Sequence, residues 1–366
     1  MGSTTRRVAV VAALATAILG GMSSAEAATR SATGPTAAPG TGNRVTAKAR
    51  AGGVYAVQGN ADGTWGPATP LPGPDGSPLA AGSVSATTMP DGSVQVVATD
   101  PACGLCYQNR LVDGTWTGWQ TLNAPDGSAV FAANEVAIAG LTDGSSVVLA
   151  TDQNHVLYHR IQDPDGIWSD WRAIPGEGRD APTIQVTSPT VVGRPDGSYL
   201  MAALEGGRLL LEQPGTLDGG LTWWRVVPGL SPDLPFEGDA VSVTQLADGS
   251  SHYLATYRRR TSTLPPGALF QSTGDFRQFA MVPGRDGAAA FIGAAVSMTP
   301  LADGSTQFLA TDRTTHYVYR NVRRPDGTLG GWQPVPGPGG DGTNVPVNAV
   351  SGTGMPDGTT QLIEAT

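Results

Sequence analysis

The sequence is poor in charged residues, above all in positive ones. Charged residues make up 14% of the 366 positions, Lys48 is the only lysine, and the formal net charge is −9. Nucleic acids and anionic membranes bind basic surfaces, so this balance favours neither of them as a partner. We expect a soluble monomer whose net charge keeps the molecules apart.

The sequence also lacks a hydrophobic run long enough to span a membrane, which takes about 20 residues. Its apolar run extends from Val8 to Leu19, after Arg6 and Arg7 and before the small residues around Ala25. Basic residues, then an apolar segment, then small residues are the order typical of a secretory signal peptide. We predict a signal peptide over residues 1–27 and secretion to the extracellular space. The alternative is a membrane anchor.

Histidine and cysteine are scarce, with four and two copies. His155 and His159 would lie ~13 Å apart on a strand, too far to bind one ion. We therefore predict no metal site, and nothing in the sequence indicates a cofactor. Cys103 and Cys106 have the spacing of a redox motif or of half a zinc site, but no second pair completes either. In an exported protein, this pair predicts a structural disulfide that closes one hairpin.

Glycine and proline, by contrast, are abundant, with 50 and 29 copies. Such a composition is typical of disorder or of a β fold with many turns. A hydrophobic content of 40% argues against disorder, because the chain can bury a core. Residues 28–51 are mostly Ala, Thr, Gly and Pro without a hydrophobic period and predict a flexible linker. The folded domain is then expected over residues 52–366.

One repeat organises the whole domain. An Asp-Gly turn followed by a short β-rich run recurs at intervals of 52 to 55 residues, at Asp91, Asp143, Asp196, Asp248, Asp303 and Asp357. Between these turns the chain carries a second Asp-Gly turn followed by Trp, and a closing Pro-Gly. In one unit we predict strands over residues 135–142, 146–150, 156–162 and 168–174, joined by Asp-Gly hairpins. Four antiparallel strands in such a unit are typical of one propeller blade.

The two ends of the domain are complementary half-units. Residues 54–65 correspond to the third and fourth strands of a unit, and residues 355–366 correspond to the first and second. Five whole units lie between them. The sequence therefore predicts an all-β, six-bladed β-propeller of four-stranded antiparallel blades, closed by pairing of the N- and C-terminal half-blades. An open stack of repeats or a β-sandwich is the alternative.

The topology of a propeller places the connections on two faces. The Asp-Gly turns after strands one and three share one face, which we call the turn face. The connections after strands two and four share the other, which we call the loop face. Repeat scaffolds place variable binding loops on one face, and the variable connections here are those of the loop face.

The candidate ligand-binding residues lie near the loop face. Tyr55, Tyr107, Tyr158 and Tyr319 follow in the third strands, with Leu211 and Phe270 in the other two units, and aspartates end several second strands. Aromatic rings beside carboxylates suit sugar recognition, because rings stack on sugar C–H faces and carboxylates accept hydroxyl protons. We predict ligand contacts from Asp100, Tyr107, Asp152, Tyr158, Asp312 and Tyr319. The alternative is that the rings pack between blades and each aspartate caps its own turn.

Two further features have open alternatives. Arg258 begins a run of three arginines beside an insertion in the fourth unit, which indicates an anionic ligand or simply a solvated surface. The eight tryptophans recur at equivalent places in the units. Packing between neighbouring blades requires large aromatic residues at such places.

The segment LYHRIQDPDGIWSDWRAIPG (157–176), repeated in weaker form over the domain, resembles the secreted lectin-like β-propellers of the tachylectin and fucose-binding type. In that group sugars bind between adjacent blades, so the resemblance implies glycan binding at the same place. This sequence differs in that no set of Arg, Glu and Trp recurs in every blade. Residues 216–223 are also similar to the Asp-box of sialidase-type propellers, which is a structural turn. The sialidase Arg-Ile-Pro motif and arginine triad are not found.

From these observations we expect a secreted carbohydrate-binding propeller without catalytic activity. Its expected partner is a glycan or a glycoprotein surface. A glycoside hydrolase of sialidase type and a protein-interaction scaffold are the alternatives.

Overall fold

The computed structural model describes residues 53–60, 62–176, 183–212, 224–230, 234–246, 249–259, 264–273, 279–337 and 346–366. The predicted signal peptide and linker lie outside these residues. So do the Asp-box-like segment, Arg260 and the first residues of the insertion that follows it.

The described residues form six four-stranded antiparallel sheets and no helix. Within each sheet the strands follow one another from the inside of the ring outwards. The innermost are β3 (Ser83–Thr88), β7 (Glu135–Gly140), β11 (Thr187–Gly193), β15 (Gly238–Gln245), β19 (Gly293–Pro300) and β23 (Ala349–Gly354). The second are β4 (Val94–Asp100), β8 (Ser146–Thr151), β12 (Tyr199–Glu205), β16 (Ser251–Tyr257), β20 (Thr306–Asp312) and β24 (Thr360–Ala365).

The outer two strands of each sheet are numbered in the same way. The third strands are β5 (Gly104–Arg110), β9 (Leu157–Gln162), β13 (Arg208–Glu212), β17 (Ala268–Thr273), β21 (Val318–Arg323) and β1 (Val54–Gly59). The outermost are β6 (Gln120–Thr121), β10 (Arg172–Ala173), β14 (Arg225–Val226), β18 (Ala280–Met281), β22 (Gln333–Pro334) and β2 (Thr69–Pro70). We number the blades 1 to 6 in the order of these lists and name each interface by its two blades.

Blade 6 is assembled from both ends of the domain. Strand β1 pairs with β24 in an unbroken antiparallel ladder from Val54↔Ala365 to Gly59↔Thr360. Thr366 extends the ladder, because its backbone N–H donates to the Gly53 carbonyl at 3.0 Å. The innermost strands of all six blades contact one another in sequence around the ring. The predicted six-bladed propeller and its closure by half-blades are thus confirmed.

The Asp-Gly repeat is a turn device. In blade 1 the Asp91 carboxylate accepts hydrogen bonds from the backbone N–H and hydroxyl of Ser93, and Gly92 has φ 86°. A residue with a side chain disfavours that φ, so glycine must follow the aspartate. The first-turn residues of several blades line one cavity at the turn face, as the topology predicts.

The outermost strands are shorter than the sequence predicts. The expected strand 168–174 is reduced to Arg172–Ala173, preceded by an isolated bridge between Gln162 and Trp168. An outermost strand has a neighbour on one side only, so its pairing is not enforced by a second ladder.

Each hydrophobic core lies between two blades. Strands β4, β8 and β24 are buried along their whole length, and six clusters of apolar side chains fill the six interfaces. Trp119 and Trp224 are buried in two of these clusters. The predicted packing role of the recurrent tryptophans is confirmed for this pair.

A ring of side-chain acceptors joins the innermost strands. The Ser83 hydroxyl of blade 1 accepts the backbone N–H of Val136 in blade 2 at 3.2 Å. Ser188, Ser242, Ser297 and Ser351 do the same for the blades that follow theirs. Blade 2 offers Glu135 instead, whose Oε2 accepts the Ser188 N–H at 2.9 Å. Burial raises the pKa of Glu135, although this hydrogen bond opposes the rise.

The closing blade carries one buried acid. Glu364 pairs with Tyr55 on β1, at the place held by Ala150 in blade 2 and Ala310 in blade 5. Its side chain is fully buried, and neither carboxylate oxygen has a hydrogen-bond partner in the described part of the chain. Burial raises its pKa to about 8.

Candidate functional site

The third-strand tyrosines occupy two registers. Three share one place, as shown by the pairs Tyr158↔Ala150, Tyr319↔Ala310 and Tyr55↔Glu364. In blade 1 that place is held by Cys106, which pairs with Ala98, and Tyr107 comes one residue later. Leu210 rather than Leu211 holds it in blade 3. Because side chains alternate along a strand, Tyr107 faces blade 2 whereas Tyr158 faces blade 1. The expected single column is therefore wrong in blades 1 and 3.

Each predicted aspartate caps its own turn through Oδ1. Asp100 accepts the Ala102 N–H at 2.7 Å, Asp152 accepts the Asn154 N–H at 2.8 Å, and Asp312 accepts the Thr314 N–H at 2.9 Å. The second oxygen differs between blades. In Asp100 it accepts the Ala80 N–H, whereas in Asp312 it faces an arginine of the neighbouring blade.

That arginine is Arg285, on the connection that follows β18. Its guanidinium lies over the Tyr319 ring, with the central carbon 4.1 Å from the ring centroid. One nitrogen donates to the Tyr319 hydroxyl at 2.7 Å, and another lies 3.4 Å from Asp312 Oδ2. About a third of the Arg285 side chain is exposed (37%), compared with 17% of Asp312. Interface 4/5 thus presents an arginine, a carboxylate and a phenol to solvent at one point.

Aromatic rings form the wall behind these polar groups. Phe291 stacks on Trp332 with centroids 4.1 Å apart and meets the Tyr319 ring edge-on. Trp332 Nε1 donates to the Pro283 carbonyl at 2.8 Å, which fixes the indole beside the connection that carries Arg285. These rings lock the neighbours of Arg285 in place before any ligand arrives.

The carboxylate at this point is held in its charged form. Burial disfavours the charge on Asp312, but the hydrogen bonds from Thr315 and Thr314, with the positive charge of Arg285, outweigh burial and lower its pKa. A charged carboxylate is an acceptor only, so Asp312 complements hydroxyl or cationic donors.

Interface 1/2 repeats this frame without the arginine. Tyr158 meets Phe131 edge-on, Phe131 meets Trp171, and Trp171 Nε1 donates to the Asn123 carbonyl at 2.7 Å. Burial, followed by the negative charge of Asp152, raises the pKa of Tyr158. The residue in the place of Arg285 is Pro125.

Tyr107 belongs to the same interface but lies further out. Its ring meets Trp168 edge-on at 5.3 Å, and its hydroxyl donates to Gln120 at 2.7 Å. Arg160 lies 5.5 Å from the Trp168 centroid and donates to Asn123 Oδ1 at 2.7 Å. The structure therefore brings Tyr107 and Tyr158 into one interface, although from opposite blades.

Arg258 lies apart from both tyrosine interfaces. Its Nε is 3.6 Å from Asp239, which lines the central channel and also pairs with Arg313 at 3.2 Å. Arg259, next in the run, pairs with Glu237. These arginines are thus matched by carboxylates, which leaves less positive charge for an anionic ligand than the sequence alone indicates.

Cys103 and Cys106 form the predicted disulfide, at a Cα–Cα distance of 6.1 Å. The pair closes the turn between β4 and β5, next to Asp100. The half-buried and buried groups around it are turn and core residues, which agrees with a structural role.

No helix among the described residues is long and apolar enough to cross a membrane.

No protein-family model and no curated protein matches the chain. Solved structures match it in fold. AofleA from Arthrobotrys oligospora has 14% identity over 79% of this chain and 80% of its own, with a TM-score of 0.52. The α-L-arabinanase of Penicillium chrysogenum, complexed with arabinobiose, has 11% identity over 77% and 92%, with a TM-score of 0.51. The fucose-specific lectin from Aleuria aurantia has 11% identity over 74% and 83%, with a TM-score of 0.49. At these identities the likeness establishes a shared propeller fold.

Proposed function

We propose that the protein binds carbohydrate, and that interface 4/5 is its principal site. The observation that carries this proposal is the position of Arg285, which contacts both Tyr319 and Asp312 at the solvent-facing end of an aromatic wall. The proposed protein is secreted, and its partner is a glycan or a glycoprotein surface.

The three groups supply the contacts that a sugar requires. A guanidinium donates to ring and hydroxyl oxygens in a fixed fork, and a carboxylate accepts from hydroxyl groups. The aromatic residues offer a surface for the apolar face of a sugar ring. The groups are already ordered by their mutual hydrogen bonds, which lowers the entropic cost of binding.

Interface 1/2 is the proposed weaker site. It offers Tyr158, Asp152 and the aromatic wall, but Pro125 provides no donor in the place of Arg285. Binding there would depend on stacking and on the carboxylate alone.

A glycan array probed with the purified full chain tests this function. We expect binding to a restricted set of saccharides, retained in high salt because the contacts are hydrogen bonds and stacking as well as charge. An array on which no saccharide exceeds background would overturn the proposal.

A further inference from the structure

The turn face of interface 1/2 contains a second feature, a groove with an acidic lining. The first turns of blades 1 and 2 and their second Asp-Gly turns border a space of about 790 Å³. We call it the acidic groove. Its lining includes five aspartates, Asp91, Asp113, Asp143, Asp163 and Asp165, and no lysine, arginine or histidine.

The corresponding place in other interfaces is neutralised from within. The last residue of the third strand is Arg110 in blade 1 and Arg323 in blade 5, and each guanidinium lies over the glycine of its own second turn. Hydrogen bonds to Thr115 lower the pKa of Asp113, and the charge of Arg110 adds to them. Arg110 also lowers the pKa of Asp357 across interface 6/1, after the stronger effect of Thr359.

In blade 2 the same place is held by a neutral residue. Gln162 lies over Gly166 as the arginines lie over their glycines, and its Nε2 donates to the Gly166 carbonyl at 3.1 Å. Its Oε1 accepts a hydrogen bond from Gln95 at 2.8 Å. The aspartates of this groove therefore lack the internal cation that their counterparts have.

Unused acceptors lie in the wall of the groove. Gln95 is 92% buried and lines it, yet its Oε1 has no hydrogen-bond partner among the described residues. Asn109 Oδ1, in the same lining, is also buried without a described partner. A buried acceptor without a donor is costly, so both oxygens favour a ligand that brings N–H groups.

The rim adds an apolar contact surface. Leu111 and Val112 line the groove and are 43% and 66% exposed. Exposed apolar side chains beside a polar pocket are typical of a surface that docks a polypeptide.

We propose that the acidic groove binds an arginine side chain carried on a segment of a partner protein, with apolar neighbours of that arginine against Leu111 and Val112. The guanidinium would take the place that Arg110 and Arg323 occupy in their own interfaces. Its five N–H donors match the carboxylates and the two unused amide oxygens better than an ammonium group would. This proposal is independent of glycan binding, which lies at the opposite face.

Fluorescence anisotropy with the full chain and a labelled peptide of alternating leucine and arginine tests it, with a leucine–glutamate peptide as the control ligand. We expect binding of the arginine peptide only, weaker at physiological than at low salt. Gln162→Arg fills the groove from within and should weaken binding at least about fivefold. Asp165→Asn, which alters a carboxylate with no described hydrogen-bond partner, should weaken it about two- to threefold.

Asp62→Asn is the matched control, because Asp62 holds the same turn position in blade 6. It changes the net charge as Asp165→Asn does and should leave binding unchanged. Gln162→Arg should unfold at the same temperature as the unmodified chain or higher, since two blades already carry arginine there. If that variant does not fold, Asp165→Asn against Asp62→Asn decides the question. Absence of arginine-peptide binding, or equal binding by all variants, would overturn the proposal.

Discussion

Interfaces 1/2 and 4/5 share one frame and differ at the point where a ligand would be held. The connection 122–136 in the first and 282–296 in the second have the same length and the same phenylalanine, Phe131 and Phe291. Both place a tryptophan Nε1 on a backbone carbonyl of that connection. Only interface 4/5 adds an arginine, and that residue joins Tyr319 to Asp312.

The difference shows how this fold separates structure from recognition. The wall of each interface recurs because every blade must pack on the next. The donor that addresses the solvent does not recur. A ligand specificity can thus be placed in one interface without disturbing the other five.

The backbone of the turn supports the difference. In the connection of blade 4, Asp286 and Gly287 have φ of 54° and 78°. In the connection of blade 1, Gly127 has positive φ but Asp126 does not, and proline precedes it. Two successive residues of positive φ form a tight turn, which favours Asp and Gly. Arg285 immediately precedes that turn.

The largest expected effect comes from the third tyrosine interface, 5/6, where Glu364 replaces the alanine found beside Tyr158 and Tyr319. Its folded-state pKa of about 8 lies above the ordinary value of 4.5. The folded state is therefore unpenalised below that ordinary value and loses stability as the pH rises through about 8. Glu364→Ala should raise the free energy of unfolding by on the order of 4 kcal/mol near pH 9 and by far less near pH 5.

Urea unfolding at both pH values measures this effect, with Asp165→Asn as an exposed control that should change neither value. A gain of the same size at both pH values would show that packing, and not the buried charge, sets the difference between Glu364 and alanine.

The next largest effect should separate the two interfaces directly. Arg285→Ala removes the charged donor at interface 4/5 and should reduce the affinity for an array-selected glycan at least about tenfold. Pro125→Ala, at the same place in interface 1/2, should leave the affinity unchanged. Titration calorimetry on the two variants measures both. Equal losses would mean that the arginine is not the recognising group.

The aromatic walls should behave alike. Trp332→Phe and Trp171→Phe each keep a ring but remove one indole hydrogen bond to a backbone carbonyl. Each should lower the free energy of unfolding by about 1 kcal/mol. Chemical denaturation of both variants checks this, and a loss confined to one interface would show that the frames are not equivalent.

The smallest effects should appear at opposite ends of the pH scale. The pKa of Asp312 is lowered, so its contribution to stability is present above about pH 4 and is lost as the pH falls further. The pKa of Tyr158 is raised, so its contribution is present below about pH 10 and is lost as the pH rises beyond its folded-state value. Unfolding curves of Asp312→Asn should lack the acid loss, and those of Tyr158→Phe the alkaline loss. The reverse assignment would contradict the electrostatics described here.

Much of the fold could be predicted because its signals are local and repeated. Asp91 and Gly92 specify a turn by their own chemistry, and five further copies at regular intervals specify the blades. The half-units at the two ends then specify the ring and its closure. The inner ring of hydroxyl acceptors escaped prediction, because a serine such as Ser83 reveals its partner only when the neighbouring strand is placed beside it.

The candidate site could be predicted only where it recurs. Asp312 and Tyr319 stand at repeated places, whereas Arg285 stands alone and drew no attention. An alignment of residues 282–296 with 122–136 would have shown it, since Arg-Asp-Gly there replaces Pro-Asp-Gly. The error at Tyr107 is a shift of one residue. Composition does not reveal such a shift, because adjacent Cys106 and Tyr107 fit a strand equally well, but it exchanges the faces of the blade.

A crystal structure of the protein soaked with the saccharide that gives the strongest array signal tests the central claim most directly. We predict that the sugar lies in interface 4/5, with its hydroxyl groups within hydrogen-bond distance of Arg285 and Asp312. A sugar found in the central channel, or in interface 1/2 with interface 4/5 empty, would contradict the account.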